Sequence, residues 1–239
     1  MIWLNLISLT TWTTETFIRK PHWMSIAFFF EALCLVVSIY CFKALKATKM
    51  VYFIPFLLLT VLVEFIGFLS ISIKDKQQNY WLYNIFTAVE FVFYAYMFSI
   101  NFKLPLLRKF SYAFMAILVL FSVFNYQFLQ GPDHFHTYTL LFGSFFIVFF
   151  CCCYFYEWVL PEQINQNLVK QPFFWICVGL LLFYLGSVII NALYEYLRSS
   201  DMDKEGRRIY SFINRSLNVI LYSSYITSFL ICKNNKKAY

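Results

Sequence analysis

The sequence predicts an all-α, polytopic membrane protein of seven transmembrane helices, and three observations carry that prediction. Charged residues are 13% of the 239, against about 25% in a soluble domain, so a water-facing surface cannot be covered. Gly and Pro number only 6 each, which lets helices run without breaks. Seven apolar runs, at residues 24–44, 51–73, 80–101, 110–129, 135–159, 172–197 and 208–232, approach or exceed the roughly 20 residues that cross a hydrocarbon core.

The connections support this division. Lys74–Asn79 reads KDKQQN and Arg198–Arg208 reads RSSDMDKEGRR, both short and polar, while Gly131-Pro132-Asp133 is a turn signal. Residues 1–23 are not a signal peptide, because Arg19 and Lys20 follow their apolar part and no small-residue cleavage site appears. They read as an interfacial segment anchored by Trp3, Trp12 and Trp23. The seven-helix domain is then 24–232, with a short basic tail at 233–239. The formal charge of +7 is dispersed over loops between apolar runs, which reads as membrane topology and not as a nucleic-acid surface.

Basic residues set the orientation. With the N-terminus outside, cytoplasmic segments hold 10 Lys and Arg and outer segments hold 8, and the loops after the first and third spans carry three each. The expectation is N-out, C-in. The 7 cysteines are odd in number and show no CxxC spacing, so neither a disulfide framework nor a zinc site is indicated. Cys151–Cys153 reads as three small apolar side chains on a helix.

Ionisable groups inside a bilayer are costly and mark functional positions. Glu31, Glu64, Glu90 and Arg215 fall within spans, with Glu195 near the end of the sixth. At 1.5 Å per residue they lie about 10, 13, 15 and 10 Å below the outer helix ends. Residues three and four apart share a helical face. Glu31, Cys34 and Ser38 form such a set, as do Thr60, Glu64 and Gly67, and Tyr80, Tyr83, Thr87, Glu90 and Tyr94. The sixth span offers Tyr184, Ser187, Asn191, Tyr194 and Arg198, and the seventh Ser211, Arg215, Asn218, Tyr222 and Tyr225. The fourth span is almost wholly apolar, so five helices surround a polar centre and the fourth faces lipid. Arg215 is expected to neutralise Glu90 or Glu64, leaving the other acids protonated, hydrated or bound to a cation. The competing reading is that these stripes only join helices by hydrogen bonds.

VEFIGFL at 63–69 aligns with LFYLGSV at 182–188, and LYNIFTAVEFVFY at 82–94 with YSFINRSLNVILY at 210–222. That pairing sets Glu90 over Asn218 and Tyr94 over Tyr222. The resulting 3+1+3 parallel repeat resembles the architecture of SWEET and PQ-loop transporters, whose repeats form substrate sites at their interface, although this chain has no Pro-Gln dipeptide. The segments LYNIFTAVEFVFYAYMF and SLNVILYSSYITSFLICK are similar to uncharacterised seven-helix proteins of Bacteroidetes-type bacteria. That resemblance implies a multi-pass protein of the inner membrane and no particular activity.

Several classes are set aside by residue. No Lys between Arg208 and Cys232 could hold retinal. His22, His134 and His136 all sit near span ends, whereas seven-helix hydrolases related to alkaline ceramidases and adiponectin receptors need three histidines on one zinc. Asp133, His134 and His136 read as an interfacial turn, lacking a fourth metal ligand. No nucleophile elbow, Gly-rich phosphate loop or kinase signature occurs, so no enzyme, metal or cofactor is expected. An intramembrane carboxylate enzyme using Glu64 and Glu90 is the outlying alternative.

The function expected is therefore an outward-facing polar pocket that binds or transports a small cationic or polar solute. Glu31, Glu64 and Glu90 would hold a cation or proton, Arg215 would set their charge, and Tyr94, Asn191, Asn218 and Tyr222 would supply hydrogen bonds. The rival is a sensor or accessory module acting through a protein partner or a second copy; only 233–239 follow the last span, so its output would need a separate protein. The topology is testable: a reporter fused after Tyr239 should behave as cytoplasmic, and Asp201→Cys should be labelled from outside. The reverse pattern for both would put the carboxylates in the inner half.

Overall fold

Long apolar runs in a solvent without hydrogen bonds must satisfy their own backbone, and helices do so within one segment. The computed structural model describes residues 26–73, 80–132, 134–160, 167–199 and 203–237, with the backbone alone over 68–73, 191–199, 203–208, 210, 236 and 237. The expected interfacial segment 1–23 lies outside the described residues, as do Lys74, Lys76 and Asp133. Eight α-helices and no strand occur among the described residues: α1 (Ile26–Tyr40), α2 (Phe42–Leu45), α3 (Phe53–Ile73), α4 (Tyr80–Asn101), α5 (Pro105–Phe124), α6 (Thr137–Val159), α7 (Pro172–Ser199) and α8 (Asp203–Lys237).

Five stretches are long and apolar enough to cross a membrane: Lys49–Gly67, Tyr80–Asn101, Pro105–Leu129, Thr137–Val159 and Pro172–Ile190. The first and last of the seven expected spans differ for separate reasons. α1 is apolar but only 15 residues long. α8 has 35 residues, enough for about 52 Å, but Asn214, Arg215 and Asn218 dilute its apolar face. The fourth span begins at Pro105, ahead of the expected 110, because proline is pre-organised for the first helical position and Arg108 and Lys109 are carried on the exposed side.

α7 packs along α8, α8 along α1, and α1 against α3; α4 meets α3, α5 and α6, and α6 meets α7. α4 is the most enclosed of the five apolar spans, at 56% buried, and α5 the least, at 17%. The apolar fourth span therefore does turn outward. The interior is filled by aromatic rings: Phe56 stacks on Phe93 at 4.0 Å, Phe98 meets Phe173 edge-on at 5.3 Å, and Phe53 contacts Tyr225 at 5.3 Å.

One end of the bundle collects the basic segments. Glu157, buried in α6, accepts backbone N–H bonds from Lys103 at 3.1 Å and Leu104 at 2.8 Å, closing the corner before α5. Lys103 Nζ sits 4.0 Å above the Trp158 ring, and Lys233 Nζ 3.5 Å above Tyr40. The Lys49 ammonium donates to the Ile100 carbonyl, and Asn235 Nδ2 to Lys170 O at 3.0 Å. At the opposite end Asn84 donates to His134 O and accepts from His136 N, both at 2.9 Å. Burial pushes the His136 imidazole below its ordinary value, and its Nε2 lies 3.0 Å from the carbonyl of Gly131, whose φ is 70°. These contacts tie the described residues 131, 132 and 134–136 to α4 and to each other.

Close approach is marked at Gly143 of α6. A Cβ there would stand 2.3 Å from the Phe91 ring of α4, and that ring packs 5.4 Å from Tyr184. Gly143→Ala is therefore expected to destabilise the bundle by about 1–3 kcal/mol through overpacking, read as a lowered melting temperature of the detergent-purified protein. An unchanged melting curve would mean that the Phe91 ring can move aside freely.

Candidate intramembrane carboxylate site

Helical phase delivers polar side chains to one interior. In α1, Glu31, Cys34 and Ser38 are all 0% exposed. α3 contributes Thr60 and Glu64, and α4 contributes Thr87, Glu90 and Tyr94. Tyr184 and Ser187 come from α7, and Asn214, Asn218, Tyr222 and Tyr225 from α8. Counted from the basic end at 1.5 Å per residue, Glu31, Glu64, Glu90, Tyr184 and Tyr222 all lie roughly 14–18 Å deep. Antiparallel helices have brought them to one level.

The three acids meet electrostatically. Glu31 lies within reach of the charges of Glu64 and Glu90, and Tyr222 within reach of all three. Glu90 is held by a donor from α7: the Tyr184 hydroxyl bonds its Oε1 at 3.1 Å. Tyr225 Oη in turn donates to Tyr94 Oη at 2.9 Å. Glu31 differs sharply, since both of its oxygens are buried without a hydrogen-bond partner among the described residues. An ionised carboxylate so placed is prohibitively costly, so Glu31 calls for a proton or a cation.

Arg215 does not join this group. Its side chain is exposed, one position away from the buried line Asn214, Asn218, Tyr222 and Tyr225. Two facts explain the departure from expectation. The 35-residue α8 is longer than a bilayer core is thick, and Arg215 lies about 27 Å from Lys233 along it, a length close to the roughly 30 Å of such a core. There a guanidinium can extend toward the headgroups. The partner of Glu90 is consequently Tyr184 and not an arginine.

The remaining expected positions divide. Tyr94 and Tyr222 are at the site; Asn218 is buried beside it but spends its Nδ2 donor on Asn214 O at 2.8 Å. The backbone of Asn191 is helical, and its side chain lies outside the described residues. Tyr184 is the direct donor to Glu90, and Tyr225 donates to Tyr94; both were on the polar stripes, and their spacing to Ser187 and Tyr222 was the available signal. Among the described residues no three His, Cys, Asp or Glu side chains are grouped to hold a metal ion.

Double-mutant cycles separate these contacts. Tyr184→Phe and Glu90→Gln should couple by at least about 0.5 kcal/mol, the range of interacting neighbours. Arg215→Met and Glu90→Gln should add within about 0.5 kcal/mol, as independent sites do. Thermal unfolding of the three single and two double variants checks both, and coupling to Arg215 alone would reverse the assignment of partners.

Compared with protein-family models, with curated proteins and with solved structures, the chain matches none.

Proposed function

We propose that the chain crosses the membrane seven times, N-terminus outside, and uses Glu31, Glu64 and Glu90 to bind or move a small cationic solute within the bilayer. Support for the two extra spans is that α1 and α8 pack on each other and against α3 and α7 respectively, both of which are apolar over a membrane-spanning length. A peripheral, poorly buried α5 is also what a linker between two three-helix units needs. The observation that carries the functional reading is Glu31, whose carboxyl group is fully buried without a hydrogen-bond partner among the described residues, near two further acids. Interhelical glue pairs its polar groups; an orphaned acid beside other acids gains nothing from such a role and is suited to accepting positive charge.

The test uses isosteric amides. Glu64→Gln and Glu90→Gln keep size and hydrogen bonding but remove charge, as does Glu31→Gln. Purified protein should be stabilised against heat by at least one of lowered pH, sodium, potassium or short alkylammonium ions, and each amide should blunt that response while folding normally. In proteoliposomes the same variants should lose at least about tenfold in flux of the responding ion, corresponding to about 1.4 kcal/mol. A well-folded triple amide with an unaltered response would leave the acids as scaffold.

A further inference from the structure

The last carbonyls of α4 gather two cations from other segments. Lys49, which opens the Lys49–Gly67 stretch, donates its ammonium to Ile100 O, and Arg108 of α5 donates Nε to Phe102 O at 2.9 Å. Capping a helix C-terminus is the plain reading of such bonds, but it spends only one donor of each side chain. Both residues are exposed, and among the described residues the two terminal nitrogens of Arg108 take no partner. Lys109 stands next to it, also exposed. No carboxylate neutralises them: the one acid at this end among the described residues, Glu157, is buried and accepts the Lys103 and Leu104 amides. A forked guanidinium and an ammonium, anchored two residues apart on one helix end, make the donor set that suits a phosphate.

Below the cations the surface turns apolar and aromatic. Tyr52 follows Lys49 by three residues in a 3-10 turn, and Tyr112 follows Arg108 by four in α5, so each lies one turn deeper on the same side. The two are 44% and 49% exposed. The Tyr52 ring meets Tyr96 of α4 edge-on at 5.6 Å. Ile100, Tyr96, Val92 and Val89 form an outward stripe on α4, on which α3 and α5 both pack without comparable contact with each other. From Ile100 to Val89 the stripe runs about 16 Å, the depth of about one leaflet of a 30 Å core.

We infer that this end of α4 binds one anionic phospholipid, its phosphate held by Lys49 and Arg108 and an acyl chain laid along the α4 stripe. Tyr52 and Tyr112 would meet its glycerol and ester groups, at the level where amphipathic rings belong. Anionic headgroups are drawn to unneutralised basic clusters beside a span. A zwitterionic lipid brings its own cation against Lys49, Arg108 and Lys109, and free phosphate gains nothing from the stripe. None of these residues belongs to the carboxylate site, so the inference stands apart from the proposed cation binding.

The test is native mass spectrometry of the full chain released from detergent and titrated with dioleoyl phosphatidylglycerol or dioleoyl phosphatidylcholine. Wild type should retain one phosphatidylglycerol at least tenfold more tightly than phosphatidylcholine. Lys49→Gln combined with Arg108→Gln should weaken that binding at least tenfold. Lys46→Gln combined with Lys170→Gln, which removes the same charge elsewhere at the same end, should change it less than threefold. Should the first pair fail to fold, each of its single variants replaces it and should lose at least threefold. Equal losses in the two pairs would reduce the effect to diffuse charge and overturn the site, as would unaltered binding in the folded Lys49 and Arg108 variants. Equal retention of the two lipids overturns the anionic assignment. Thermal stabilisation by inorganic phosphate as large as that by phosphatidylglycerol overturns the lipid in favour of a simple anion.

Discussion

Three carboxylates at one level of an apolar bundle have to be held by groups the protein itself brings, because hydrocarbon offers none. The surrounding arrangement follows from that demand. Glu90 sits on α4, a helix that touches three others, and its donor comes from α7, while Tyr94 of α4 is held in turn by Tyr225 of α8. Moving any of these helices by one residue would turn a hydroxyl away and leave a second orphaned acid beside Glu31. The polar centre therefore specifies helix rotation, while the rings around it supply most of the contact.

Those rings explain how so few glycines suffice. Gly143 opens a slot for Phe91, and Gly179 and Gly186 let α7 approach Ser224 and Leu217 of α8. Small residues at such points substitute for the hydrophobic drive that lipid removes. Between them Phe and Tyr fill volume with few rotatable bonds, which suits an interior that must hold hydroxyl groups at fixed positions.

Much of this was legible from helical phase alone. Spacings of three and four marked Glu31, Cys34 and Ser38, and likewise Thr87, Glu90 and Tyr94, as inward residues, because a straight apolar helix has only one side to bury. Tyr80–Asn101 is delimited as the polar flanks suggested. Phase failed at Arg215 because the stripe was drawn one residue wide of the buried line, and a long cation tolerates the edge of that line by reaching outward. Depth also misled, since α8 continues past the 208–232 run at both ends, where polar residues carry the helix on without an apolar signal. Glu157 escaped notice for another reason. Its partners are backbone groups distant in sequence, for which composition carries no signal.

That acid has a consequence for how the chain is made. The amides it binds at the α4–α5 corner precede it by 54 residues in one bond and 53 in another, so during synthesis the corner exists before its cap does. The α4–α5 pair enters the lipid with those N–H groups still hydrated, and the turn is sealed only once α6 has followed. Assembly of this region thus waits on the arrival of a single side chain, and a chain that ends after α5 would leave that corner unlatched.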